Sequence, residues 1–245
     1  MDITIVLTAH DEANLVGPTI RSAEQAIQCI QPLGLSVEKI FMLDNPTPEC
    51  DQFFSQSRFS EWRIIKVDHK DQGKVRNDAV KLVSGKWLAF LDADDLWSEN
   101  WLLASIPLLE TAEKKGEKVI IHPELNWFFE ASPTILVNLA DDDPVYDPYY
   151  YYFYNYYDAL CICPREAYVD APFADRDLKS GFAFEDWQWN LETTDFGWHH
   201  QVATDTIIFK RRRAGSQTLA ASQSKAVFRD LSSLHIENIC KYKHG

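Results

Sequence analysis

The 245-residue chain has no surplus of basic residues: 24 Lys and Arg stand against 37 Asp and Glu, a formal charge of −13. That balance excludes a nucleic-acid surface, because phosphate backbones demand a basic face. Paired cysteines are missing too. Cys29, Cys50, Cys161, Cys163 and Cys240 are odd in number and scattered, with no Cys-x-x-Cys pair, which argues against a disulfide framework or a structural zinc site. Cys161 and Cys163 read as small core residues. No apolar run approaches the ~20 residues that span a bilayer. Met1 is followed at once by Asp2 rather than by a basic leader and a long apolar stretch. A cytoplasmic protein is the expectation.

What is present centres on Gly85–Trp97, GKWLAFLDADDLW. A turn residue opens it, an apolar strand runs from Trp87 to Leu91, and Asp92, Asp94 and Asp95 follow at the strand's end. At ~4 Å and an effective dielectric of ~20, each pair of like charges costs about 4 kcal/mol. A buried strand aims such a cluster at a cation or a set of donors. Oxygen-rich sites of this kind suit Mg²⁺ or Mn²⁺, held by one or two carboxylates and the phosphates of a substrate. A solvated acidic turn is the alternative, and this stretch by itself leaves both open.

The first half alternates strands and helices. Ile3–Leu7 is a continuous apolar run, the pattern of a strand buried on both faces. It ends in the polar loop TAHDEAN, where Asn14 is placed to cap a helix. Val16, Ile20, Ala23, Ile27 and Ile30 then recur at spacings that mark one helical face. Strands are expected at 37–43, 62–67 and 87–91, with a helix over 74–82. This order describes a parallel sheet with helices on both faces. Ligands of such sheets bind beyond the carboxyl ends of the strands. His10, Asp11 and Glu12, then Asp44, then Asp92 to Asp95 therefore belong to one rim.

The second half is less regular. Residues 101–109 read as a helix, and 118–121, 134–139, 158–163 and 202–210 as strands. A final helix is expected from about Thr218 to Lys241. In YYYYFYNYY, residues 149–157, every position but Asn155 is aromatic. Either it packs over the sheet or it forms an aromatic wall for sugar rings or an apolar acceptor. Glu185 and Asp186 open a helix, where carboxylates favour the dipole. Lys210, Arg211, Arg212 and Arg213 form either a solvated or targeting patch or a site for a diphosphate.

Four stretches in order resemble the family 2 glycosyltransferases. They are Ile3–Asn14 (ITIVLTAHDEAN), Gly73–Asp95 (GKVRNDAVKLVSGKWLAFLDADD), Gly181–Glu192 with its Glu-Asp pair, and Arg211–Ser216 (RRRAGS). The resemblance implies an α/β, GT-A type, Rossmann-like fold with a mostly parallel central sheet. It implies one domain over 1–245, with a nucleotide-binding half at 1–97 and an acceptor-binding half at 98–245. Thr8, His10 and Glu12 would line the nucleotide pocket, Asp44 would face the base, and Asp92 would approach the ribose. Arg76, Arg211 and Arg213 would belong to the donor site, while Asp94 would hold a divalent metal, Mn²⁺ or Mg²⁺, between the phosphates. Asp186 would be the general base of an inverting transfer from a nucleoside-diphosphate sugar to a glycan or lipid-linked glycan, in surface polysaccharide assembly. The protein would work in the cytoplasm or at the inner face of the membrane, alone or as a domain of a larger multi-domain enzyme.

Two departures matter. The second strand runs into LDNPTPE where the family commonly has Asp-Asp-Gly-Ser, so only Asp44 remains for the base. Arg213 stands where many relatives carry a metal-ligating His. Either His199 or His200 supplies that ligand, or the metal is held more loosely and Arg213 binds phosphate directly. A nucleotidyltransferase would want a Gly-rich basic loop after the first strand, and TAHDEAN has no glycine. A carbohydrate-binding module that has lost the chemistry is the non-enzyme alternative, and the presence of Asp92, Asp94 and Asp186 argues against it.

Overall fold

A computed structural model describes residues 1–131, 133–213 and 217–242. Its strands are β1 (Ile3–Ala9), β2 (Val37–Asp44), β3 (Arg63–Val67), β4 (Trp87–Asp92), β5 (Leu96–Trp97), β6 (Val119–Glu130), β7 (Thr134–Val137), β8 (Ile162–Pro164) and β9 (His199–Arg212). The helices are α1 (Val16–Ile30), α2 (Pro48–Phe54), α3 (Gln72–Leu82), α4 (Trp101–Lys115), α5 (Arg165–Asp170), α6 (Glu185–Asp195) and α7 (Gln217–Gln223). The strands form one sheet in the order β3-β2-β1-β4-β8-β6-β9-β5, with β7 paired to β6.

The expected parallel sheet is present through β3-β2-β1-β4. β6 and β9 are parallel to each other, and antiparallel β8 joins them to the first block. β1 lies between β2 and β4, so the chain order reverses there, and all seven of its residues are buried. Such a switch point leaves a crevice at the carboxyl ends of the strands. Register then does local work: Thr8 lies opposite Asp92 across the β1–β4 pair.

The α1 face is as the spacing predicts, with Val16, Ile20, Ala23, Ile27 and Ile30 all buried. Asn14 does not cap it. The residue falls in a 3-10 turn over Glu12–Asn14, and the helix starts after Leu15 with no side-chain cap. α3 is capped instead by Asp71, whose Oδ1 accepts from the Lys74 amide at 3.1 Å.

Several expected elements change length: the helix at 101–109 runs on to Lys115, the strand at 202–210 spans His199–Arg212, the strand at 134–139 stops at Val137, and three others change more. The strand at 118–121 extends to Glu130, because β9 pairs with it along eleven register positions, with a bulge between Pro123 and Leu125. The strand at 158–163 shrinks to three residues. The final helix stops at Gln223, and Lys225 turns the backbone left-handed at φ 52°. Val227 then bridges to Phe182, and Leu234 and Ile239 bury themselves against Tyr146, Tyr151, Tyr156 and Tyr157. That aromatic packing outcompetes helix continuation. The Tyr-rich stretch is accordingly a 3-10 turn and loop whose members divide, with Tyr151, Tyr156 and Tyr157 buried and Tyr150, Tyr152 and Phe153 exposed.

Gly85 lets β4 start hard against β1. A Cβ there would lie 2.4 Å from the Thr4 amide nitrogen and 2.5 Å from its Oγ1, which itself accepts the Gly85 amide at 2.9 Å. Overpacking of this kind costs about 1–3 kcal/mol. Gly85→Ala is expected to lower unfolding stability by that amount in a urea titration at unchanged m-value.

Candidate functional site

Thr8, His10, Glu12, Asp44, Arg76, Asp92, Asp94, Asp186, Arg211 and Arg213 all line one cavity of about 980 Å³ at the carboxyl ends of β1, β2 and β4, whereas His199 and His200 do not. The Asp92–Asp95 turn is fixed from two sides. The Ala93 amide donates to the Thr8 carbonyl at 3.0 Å, and Thr19 Oγ1 of α1 donates to the Ala93 carbonyl at 2.9 Å. The three carboxylates therefore project from a rigid frame.

Each carboxylate has its own nearest cation, and Lys210 reaches both Asp95 and Asp92. Asp92 Oδ1 accepts from Thr8 Oγ1 at 2.9 Å, Gln72 Nε2 at 2.7 Å and Arg76 Nη2 at 3.0 Å. Burial would raise its pKa, but Arg76 and then Lys210 hold it down at about 2. Asp95 Oδ2 pairs with Lys210 Nζ at 2.7 Å, and its Oδ1 accepts the Arg211 amide at 2.8 Å. Asp94 Oδ2 faces Arg213 Nε at 2.8 Å. Burial and the neighbouring Asp92 push the Asp94 carboxyl up.

Lys210 is the member that pattern reading did not single out. Its ammonium also meets Asp158 at 3.0 Å and Asp92 at 3.5 Å. Burial by itself would lower it, yet Asp158, Asp95 and Asp92 hold it well above its ordinary value. The signal was the first position of the basic run, read there as one of four similar cations. Asp158 and Gln72 carried no signal at all, since the fold alone brings them to this wall.

Other predicted residues sit in more specific settings. Arg76 is buried between the rings of Phe90 and Phe173, at 5.8 and 5.5 Å, and its guanidinium braces Asp92. Glu12 Oε2 accepts the amides of His10 and Asp11, at 2.7 and 3.0 Å, and so shapes its own loop. His10 Nδ1 donates to the Asp44 carbonyl at 2.8 Å, and Asp44 Oδ1 accepts the His69 amide at 2.7 Å. Arg211 Nε donates to the Asp94 carbonyl at 3.2 Å, and its Nη1 pairs with Glu130. Of the basic stretch Arg211–Ser216, Ala214, Gly215 and Ser216 lie outside the described residues.

Asp186 stands in the first turn of α6, after Phe184 at a left-handed φ of 62°. A bulky residue in that region is strained, and such strain concentrates where a site dictates the backbone. Asp186 Oδ1 accepts the Trp187 amide at 2.9 Å. Burial first, then Glu185 and Asp158, raise its carboxyl to about 7. A helix N-terminus would lower the pKa, so here desolvation and like charge win.

The donors do not suit the divalent ion expected at Asp94. Asp92, Asp94 and Asp95 are each engaged by cations. A divalent ion ~4 Å from a guanidinium would meet about 8 kcal/mol of repulsion at an effective dielectric of ~20. His199 and His200 cannot complete the set, since they start β9 while Arg213 follows its far end, after Arg212. His199 Nδ1 lies 3.2 Å from Asp141 Oδ2. His200 contacts His122 and Thr193 at 2.8 and 3.1 Å, with its pKa pushed down to about 3 by burial. Among the described residues, no group of three or more His, Cys, Asp or Glu side chains could hold a metal.

Comparison with known proteins places this site in context. Residues 4–160 match the model of Glycosyl transferase family 2. The chain is 26% identical over 110 residues to the UDP-Glc:alpha-D-GlcNAc-diphosphoundecaprenol beta-1,3-glucosyltransferase WfaP of Escherichia coli, covering 44% of this chain and 41% of that protein. It is 26% identical over 123 residues to the amylovoran biosynthesis glycosyltransferase AmsB of Erwinia amylovora, covering 46% and 41%. These matches span about two fifths of the length of either relative. The crystal structure of S. aureus TarS 1–349 in complex with UDP-GlcNAc superposes with a TM-score of 0.68 at 13% identity, over 90% of this chain and 61% of that one. The fold is thus of the GT-A glycosyltransferase type.

Removing the buried ammonium should be severe. Lys210→Met leaves buried carboxylates uncompensated, which costs about 3–5 kcal/mol. Chemical denaturation at pH 7 is expected to show that loss, and the deficit should shrink toward pH 5 as the stranded carboxylates take up protons.

Proposed function

The chain belongs to glycosyl transferase family 2, and we propose that it moves a sugar from a nucleoside-diphosphate sugar to an acceptor hydroxyl with inversion. The observation that carries this reading is Asp186, a carboxyl raised to about 7 on the wall of the cavity that also holds the Asp92–Asp95 turn and the arginines of β9. A group with a pKa near the working pH is suited to proton transfer. A binding module without chemistry has no need of one.

In this reading residues 1–97 take the nucleotide. Thr8, His10, Glu12 and Asp44 surround the base and ribose, and Asp92, held open by Thr8, Gln72 and Arg76, faces the ribose. Arg211 and Arg213 meet the diphosphate. Residues 98–245 take the acceptor, whose hydroxyl proton passes to Asp186 as its oxygen attacks the anomeric carbon from the face opposite the leaving group. No step is routed through a divalent cation, because the carboxylates that would hold one are already paired with Arg76, Lys210 and Arg213.

The acceptor side widens past Phe128, Leu136 and Tyr154, which also line a neighbouring hollow. Apolar and aromatic walls of this kind suit a glycan or lipid-linked glycan. The names of WfaP and AmsB support a place in surface polysaccharide assembly. Among the described residues no helix is long and apolar enough to cross a membrane. We place the work on the cytoplasmic side, in solution or peripheral at the inner face, with the chain acting alone or within a larger multi-domain enzyme.

A thermal-shift panel of nucleoside diphosphates and nucleotide-sugars tests the donor class, since a ligand bound only by the folded state raises its stability. At least one is expected to raise Tm, and a flat panel would refute the reading. Asp186→Asn is expected to lower transfer by about 10²–10⁴-fold while nucleotide affinity stays within about twofold, a change of only a few tenths of a kcal/mol. The pH profile follows from the sign of the shift. Only the ionised carboxylate accepts a proton, so kcat/KM should fall as pH drops through about 7, and the Asn variant should lack that limb.

A further inference from the structure

Arg213 follows directly on the end of β9 and lies across the rim of the site. Its Nε pairs with Asp94 Oδ2 at 2.8 Å, and its Nη2 donates to Glu12 Oε1 at 2.8 Å. One cation thereby gathers carboxylates from the carboxyl ends of both β4 and β1. Arg211 approaches from the same strand and donates to the Asp94 carbonyl, so the backbone oxygen beside that carboxylate also faces a guanidinium. Hard oxygen donors of this sort are what a divalent ion would require, and arginine nitrogens meet them first.

Resting on the glycosyltransferase reading, we infer that Arg213, supported by Arg211, neutralises the departing nucleoside diphosphate in place of a divalent cation, so that donor binding and transfer need no metal.

The geometry leaves room for that role. Nη1 of Arg213 stands 3.7 Å from Asp11 Oδ1, an ion-pair distance beyond hydrogen-bond range, so among the described residues no acceptor takes its protons and a phosphate oxygen can. Asp94 and Glu12 fix the plane of the guanidinium, and a fixed planar fork matches phosphate oxygens. In the transfer step the acceptor oxygen forms its bond to the anomeric carbon and its proton goes to Asp186. The bond from that carbon to the β-phosphate oxygen breaks with its electron pair moving to the oxygen. The charge that appears there falls beside Arg213.

Titration calorimetry of UDP, GDP, CDP and TDP onto the whole chain, in EDTA and then in excess Mn²⁺, tests this. For the wild type, the nucleotide that binds is expected to keep its Kd within about twofold between the two buffers. Arg213→Ala should weaken it by at least about 10-fold in EDTA, and Arg213→Lys by less, since lysine keeps the charge but not the fork. Arg213→His should bind weakly in EDTA and recover with Mn²⁺, because the freed Asp94 and an imidazole can then ligate. Circular dichroism melts check that the variants fold. Wild-type binding that tightens by about 10-fold or more with Mn²⁺ would overturn the inference alone, as would undiminished binding by folded Arg213→Ala and Arg213→Lys. Failure of all four nucleotides to bind in either buffer would overturn it together with the glycosyltransferase reading.

Discussion

Lys210 carries a single ammonium from β9 into a space bounded by Asp92, Asp95 and Asp158, at 3.5, 2.7 and 3.0 Å. Those three acids come from the end of β4, the turn after it and the loop before β8. Without the cation they would repel one another at low dielectric. The pairing ties β9 of the second half of the chain to β4 of the first, although β8 and β6 intervene in the sheet. The cavity exists because these two blocks are held at that spacing.

The chemistry follows from how the cations are distributed along one wall. Arg76 is buried and fixes Asp92, Lys210 neutralises Asp95 and Asp158, and Arg213 at the rim clamps Asp94 to Glu12. The inner charges serve rigidity and the outer one faces the opening. Asp186 forms no ion pair of that kind among the described residues, and burial together with Glu185 and Asp158 outweighs the pull of Arg76 and raises its carboxyl to about 7. One cavity thus contains a carboxylate held at about 2, Asp92, and two pushed up to about 7, Asp95 and Asp186. Environments that separate like groups in this way are how acid and base roles are assigned.

Much of the first half of the chain was legible because its pattern is local. Ile3–Leu7 and Trp87–Leu91 read as buried strands from continuous apolar runs, and their ends named the rim. The face of α1 followed from spacing. The far side was not legible in the same way. The stretch after Val119 offers no length signal, since β6 continues only because β9 lies alongside it. The helix expected over 218–241 failed because Leu234 and Ile239 found a tyrosine cluster that no periodicity announces.

Residue types and order determined the family resemblance, the strand ends that converge, and the presence of a carboxylate ahead of α6. They also marked Arg213 as the position where a metal-ligating side chain is absent. Which partner each charge takes was decided only by tertiary structure, because ion pairs form across strands that are distant in sequence. Asp94 meets Arg213 from 119 positions away along the chain numbering, and His199 and His200 are carried to the opposite end of the same strand. Charge can be counted from a sequence, but which charges are opposed is a property of the sheet.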